Sequence, residues 1–177
     1  AVRDGYVTSV EMLRVLPGAA EAIARLNQNR FGVVVVSNQQ CVGKGILSLD
    51  ALDAITRTLS AAVKEAAGGA ITDFIYCPHL ASDECLCRKP KPGLLLEAQA
   101  RYGFDLSRTC FVGDSYTDLK TAAAAKCPSI FVRSGLDARR YDAGEPLPHS
   151  PAFIACDLSD AVDWILAGTA SNHPISG

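Results

Sequence analysis

No apolar run in the sequence approaches the length of a membrane span, so no helix is expected to cross a bilayer. An excess of charge of one sign is lacking as well. Lys and Arg number 17 against 19 Asp and Glu, a net charge of −2, and no basic stripe stands out. Without a basic field, nucleic acid is not expected as a partner. Nothing at the start reads as a signal peptide, which argues for the cytoplasm, where thiols stay reduced. Neither an internal repeat nor a domain linker is visible. Residues 1–168 are therefore expected to form one domain, a monomer, with 169–177 as a frayed tail. A length of 177 residues suffices for one real core but not for two typical domains. With 49% hydrophobic and 20% charged residues, the composition is that of a soluble globular protein.

What the chain does have is a dense ligand cluster. Cys77, His79, Cys85 and Cys87 fall within eleven residues in a C-x-H-x5-C-x-C pattern. Three thiolates and an imidazole can close one tetrahedron around Zn2+, and a closed four-ligand site is structural rather than catalytic. A disulfide pair and an idle cluster of thiols are the competing readings. The odd total of seven cysteines, with no secretory context, favours reduced thiols and a metal. Arg88 and Lys89 follow directly, two cations on a stiffened loop, which suits an anionic group such as phosphate.

Along the chain, apolar runs alternate with helical periodicity. Pro17-Gly18 opens an Ala-rich helix whose buried side is Ala20, Ile23, Ala24 and Phe31. Val33–Val36, apolar on both faces, predicts a central parallel strand. Gly43-Lys44-Gly45 reads as a flexible cationic loop. Ser48 then caps a helix with Leu49, Leu52, Ile55, Leu59 and Val63 on one stripe, stopped at Gly68-Gly69. Strands are predicted at Ile71–Tyr76, Thr109–Val112, Ser129–Val132 and Phe153-Ile154. Helices are predicted after Pro92-Gly93, around Leu119–Ala125 and over Leu158–Leu166, with a loop at Gly135–Pro151. Cys110, Cys127 and Cys156 read as core residues.

This alternation indicates an α/β fold with a mostly parallel sheet, in which a site lies beyond the carboxyl ends of the strands. Three polar clusters are expected there: Ser37-Asn38-Gln39, Arg88-Lys89, and Gly113-Asp114 through Asp118. A hydroxyl, a cation and paired carboxylates around one point suit phosphoryl transfer assisted by Mg2+. The bland alternatives are a polar strand end at Ser37-Asn38, a solvated helix start at Asp114 and Asp118, and surface charge at Lys44.

Val-Ser-Asn-Gln-Gln (36–40), Cys-Arg-Lys-Pro-Lys-Pro-Gly (87–93) and Val-Gly-Asp-Ser-Tyr-Thr-Asp (112–118) resemble motifs two, three and four of the haloacid dehalogenase (HAD) superfamily. With the zinc loop, the resemblance narrows to the capless subgroup that contains heptose-1,7-bisphosphate and histidinol phosphatases. It implies a Rossmann-like, three-layer α/β/α fold and a cytoplasmic hydrolase of carbohydrate metabolism with Mg2+ and Zn2+, acting on a small phosphate ester. It also implies roles. Ser37 would hydrogen-bond the phosphoryl group, Lys89 would neutralise it, and Asp114 would ligate Mg2+. Asp118 would orient Lys89 or a metal-bound water. Gly5, Tyr6, Asn38, Gln39, Gln40, Lys44, Arg88 and Ser115 would meet the substrate, with Lys44 replacing a family arginine. Cys41 departs from the family's loop pattern.

The family's nucleophile and general acid/base come from an Asp-x-Asp-Gly motif at the end of the first strand, and no such motif occurs in these residues. The resemblance places that central strand, with both aspartates, just before Ala1. The expectation is therefore an N-terminally truncated phosphatase domain without turnover of its own, whose aspartyl-phosphate would form upstream. D-glycero-D-manno-heptose 1,7-bisphosphate is the expected substrate, with histidinol phosphate as the alternative. A noncatalytic, zinc-stabilised phosphate-binding module is the reading from another class. Nucleic-acid end repair, also found in the superfamily, is disfavoured by the acidic balance.

Overall fold

The computed structural model describes residues 6–170 and divides into two compact units, 1–88 and 89–177. Every strand pair in both is parallel.

The first unit is built on a two-stranded sheet, β1 (Val34–Asn38) and β2 (Asp73–Cys77), joined in register from Val34 opposite Asp73 to Asn38 opposite Cys77. Helix α1 (Ala19–Gln28) buries Ala20, Ala22, Ile23 and Ala24. The short α2 (Gln40–Gly43) follows β1, and α3 (Leu49–Ala67) packs against α1. The Ser48 hydroxyl accepts from the Ala51 N–H at 3.1 Å, the expected N-cap. Gly68, at φ 70°, ends α3 in the left-handed conformation that glycine adopts without a Cβ clash. Cys41, Leu47, Leu52 and Ile55 form a core cluster, with Tyr6, Leu13, Val42 and Tyr76 against it.

In the second unit a three-stranded sheet runs in the order β3 (Phe111–Gly113), β4 (Ser129–Val132), β5 (Phe153–Ala155). Strand β4 lies in the middle, so all four of its residues are buried. Around it are α4 (Gly93–Tyr102), α5 (Tyr116–Ala124), α6 (Ala138–Asp142) and α7 (Leu158–Ala170). Tyr116, Leu119 and Phe131 are the centre of its core, with Tyr141, Leu147 and Ile154 packed on them.

Several expectations need correction. Strand β1 has one strand partner among the described residues and only Val36 is buried, so it is not the covered central strand that its composition suggests. Phe31 lies beyond the end of α1 and is half-buried. Leu49, the first residue of α3, is exposed, because the buried stripe begins one turn later at Leu52. Cys127 is buried, but Cys110 is half-buried and Cys156 is exposed. Cys156 occupies the turn between β5 and α7, where its N–H donates to Asp160. The Gly135–Pro151 loop contains α6, a turn held by Arg133–Asp142 and Arg140–Asp137 ion pairs and by Tyr141 against Phe131. Helix α7 extends to Ala170, beyond the expected start of the tail; 171–177 and Gly5 lie outside the described residues.

Candidate functional site

Strand β2 ends at Cys77, the first of four ligands. The potential ligand atoms of Cys77, His79, Cys85 and Cys87 all lie within 4.8 Å of one another. Cys77 Sγ is 3.6 Å from both His79 Nδ1 and Cys85 Sγ. Cys87 Sγ is 3.5 Å from Cys85 Sγ and 3.3 Å from His79 Nδ1. Bonds of about 2.3 Å from sulfur to a tetrahedral metal put neighbouring sulfurs about 3.8 Å apart, so the donor set fits one small soft cation. Among the described residues no cysteine is in a disulfide. Burial pushes the Cys77 thiol up and, with its neighbours, lifts Cys87 to about 12. Burial also acts upward on Cys85, but the Arg88 backbone N–H and the Cys87 and Cys77 thiols outweigh it, bringing Cys85 down to about 7.

The expected loop at Gly43-Lys44-Gly45 is anchored rather than loose. The Gly43 N–H donates to the Pro78 carbonyl at 3.1 Å, and a Cβ on Gly43 would stand 2.6 Å from that oxygen. The segment after β1 is thereby tied to the start of the ligand loop. Arg88 ties it again. One terminal nitrogen of its guanidinium donates to the His79 carbonyl at 3.1 Å, the other to Gln40 Oε1 at 3.0 Å. Gln40 Nε2 donates in turn to the Tyr6 hydroxyl at 2.5 Å. Lys44 Nζ donates to that same oxygen at 3.2 Å while lying over the Tyr6 ring. Ser37 and Asn38 end β1; the Ser37 hydroxyl accepts from Gln39 Nε2 at 3.3 Å, and the Gln39 N–H donates to the Cys77 carbonyl.

In the second unit, Lys89 Nζ lies 2.6 Å from Asp118 Oδ1 and over the Phe111 ring. The other Asp118 oxygen accepts from the Ser115 hydroxyl at 2.7 Å and the Ser115 N–H at 3.2 Å, while Ser115 Oγ accepts from the Asp118 N–H. This capping box starts α5 and turns one carboxylate oxygen toward Lys89. It also engages the Ser115 hydroxyl within the cap. Asp114, just past β3, accepts on Oδ2 from the Leu136 N–H at 2.9 Å, and its carbonyl accepts from the Asp137 N–H. Asp137 Oδ2 accepts from the Tyr116 N–H at 2.7 Å, bracing the same turn.

Sequence reasoning missed Gly135, Leu136 and Asp137 as supports of Asp114. A Cβ on Gly135 would meet Asp114 Oδ2 at 2.1 Å, and one on Gly113 would meet the Asp118 Cβ at 2.4 Å. Gly113 stood in a motif. Gly135 carried no signal, since only the pairing of β3 with β4 brings residues some twenty apart together.

Near-full-length relatives define the class: the chain belongs to the HAD-like phosphatases. A family profile described as HAD-hydrolase-like matches residues 86–161. Within that class it resembles the D-glycero-beta-D-manno-heptose-1,7-bisphosphate 7-phosphatase of Pseudomonas aeruginosa, 41% identical over 163 residues, 92% of this chain and 89% of the relative. The Thermosynechococcus vestitus enzyme of similar name is 32% identical, over 91% of this chain and 87% of its own length. The crystal structure of D,D-heptose 1,7-bisphosphate phosphatase from B. bronchiseptica, complexed with magnesium and phosphate, superposes with a TM-score of 0.86. It is 34% identical, covering 93% of this chain and 90% of that one. No helix among the described residues is long and apolar enough to cross a membrane.

Proposed function

We propose that this protein is a Mg2+-dependent phosphatase of sugar phosphates, with D-glycero-D-manno-heptose 1,7-bisphosphate as its substrate. The observation that carries the reading is the near-full-length match to phosphatases of that name. The chemistry of the residues supports it. In the first unit, Ser37 would donate to a phosphoryl oxygen, with Asn38 and Gln39 beside it in the chain. Arg88 uses two of a guanidinium's five donors on His79 and Gln40, and the planar fork suits a phosphate. In the second unit, Lys89 would neutralise charge developing on the phosphoryl group, held in place by Asp118. Asp114 would hold Mg2+, which when bound polarises the phosphoryl oxygens. Cys77, His79, Cys85 and Cys87 would hold a structural Zn2+.

A second reading, a noncatalytic zinc-stabilised phosphate-binding module, is favoured by one observation: the 177 residues contain no Asp-x-Asp-Gly. Phosphate release from the heptose bisphosphate and from histidinol phosphate, measured side by side, tests both. The 177-residue chain is expected to release no more phosphate than its Lys89→Ala variant. The same chain carrying an added upstream Asp-x-Asp-Gly segment is expected to hydrolyse the heptose ester. Inactivity of the extended chain on either ester would leave the binding-module reading, and preference for histidinol phosphate would replace the substrate.

A further inference from the structure

The hydrogen bonds of the first unit form a chain: His79 carbonyl, Arg88, Gln40, Tyr6, Lys44. Their directions follow from chemistry. Arg and Lys have no acceptor, so the Gln40 amide must turn its oxygen to Arg88 and its NH2 to Tyr6. Lys44 can only donate to the Tyr6 oxygen as well. With two donors on its oxygen, the phenol of Tyr6 has its proton left to offer, and no acceptor among the described residues takes it. Arg88 is likewise held by two acceptors, and a guanidinium has further N–H groups to offer an anion.

Resting on the phosphatase reading, we propose that Gln40 is a positioning residue with two outputs. Its oxygen tethers the Arg88 guanidinium, and its NH2, by occupying the phenol oxygen, leaves the Tyr6 hydroxyl as a donor for a sugar hydroxyl or ester oxygen of the substrate. Gln40 touches no reacting atom in this role. It transmits the backbone of the metal loop, through Arg88, to the residue that would recognise the sugar. The device depends on the amide having one face of each kind.

Gln40→Glu separates the two outputs. A carboxylate still accepts from Arg88, but it also accepts from Tyr6 and turns the phenol proton inward. Binding is the readout, so the result does not depend on turnover. Heptose 1,7-bisphosphate and inorganic phosphate are titrated calorimetrically into the full chain and into the Gln40→Glu, Gln40→Ala, Tyr6→Phe and Gln40→Glu/Tyr6→Phe variants. Gln40→Glu and Tyr6→Phe are expected to weaken the ester about 5- to 10-fold each, one lost hydrogen bond's worth, and the double variant no further. Inorganic phosphate should change less than about 2-fold in Tyr6→Phe, which keeps the Arg88 tether, but weaken clearly in Gln40→Ala, where that tether is gone. Ester binding unchanged in Gln40→Glu, or losses that multiply in the double variant, would overturn the proposal while leaving the phosphatase reading in place. A parent chain that binds neither compound would remove both. Thermal melting of each variant separates these effects from misfolding, which would weaken both compounds together.

Discussion

Lys89 and Asp118 form a 2.6 Å ion pair whose side chains are only 13% and 7% exposed. Little solvent screens such a pair, and the capping box of α5 aims its carboxylate. Asp118→Asn keeps the shape and removes the countercharge. It should destabilise the protein by about 1.5–3 kcal/mol, the usual effect of losing a hydrogen bond to a charged group, while Lys89→Met with Asp118→Leu should recover most of the loss. Urea unfolding measures both, and an Asp118→Asn chain within 1 kcal/mol of the parent would mean that Lys89 finds another partner at no cost.

Gly135 admits Asp114 to the turn after β3, where a Cβ would stand 2.1 Å from Oδ2. Gly135→Ala should cost about 1–3 kcal/mol by overpacking and weaken Mg2+-dependent phosphate binding by displacing the carboxylate. Gly45, at φ 68° with open space around it, is the control: Gly45→Ala should cost about 1 kcal/mol through backbone strain alone and leave Mg2+ dependence intact. Equal Mg2+ dependence in the two variants would remove Gly135's role as a spacer.

Chelation should act on the first unit. Removing a metal from Cys77, His79, Cys85 and Cys87 leaves three thiols and an imidazole crowded within 4.8 Å without the bonds that hold them. A loss of about 3 kcal/mol would lower the melting temperature by about 6–12 °C for a chain of this size. Elemental analysis should find one zinc per chain, and none in Cys85→Ser with Cys87→Ser. Unchanged melting after complete chelation would show that the loop is held by its hydrogen bonds.

Cys127 supplies a pH test in the second unit. Burial, then the nearby Cys110, raises its thiol from 9.0 to about 11, and Sγ donates to the Thr109 carbonyl at 3.0 Å. The folded state therefore keeps a proton that the unfolded chain gives up first. The stabilisation is complete below pH 9 and is lost as pH rises through about 11. It amounts to about 1–3 kcal/mol. Cys127→Ala should flatten the fall in stability over that window. A slope identical to the parent's would assign the alkaline loss to other groups.

Much of this protein could be read from local pattern. The metal loop is contiguous, so its chemistry depends on spacing alone, and the Ser48 cap, the Gly68 stop and strand β4 needed only neighbours in sequence. Helix α6 escaped notice because five residues rich in Arg have no periodicity to detect; ion pairs and the packing of Tyr141 hold it.

Residue types and spacing determined by themselves which chemistry is available: a soft-metal tetrahedron, a guanidinium and a lysine next to it, and paired carboxylates four residues apart. Tertiary structure alone decided which groups are braced and by what. It brought Gly135 and Leu136 to Asp114, set Asp118 against Lys89, and placed Gln40 between Arg88 and Tyr6. The physical reason is range. A ligand loop or a helix cap closes within a few residues, whereas a hydrogen bond between residues twenty to fifty apart exists only after the chain within each unit has folded back and brought distant segments together.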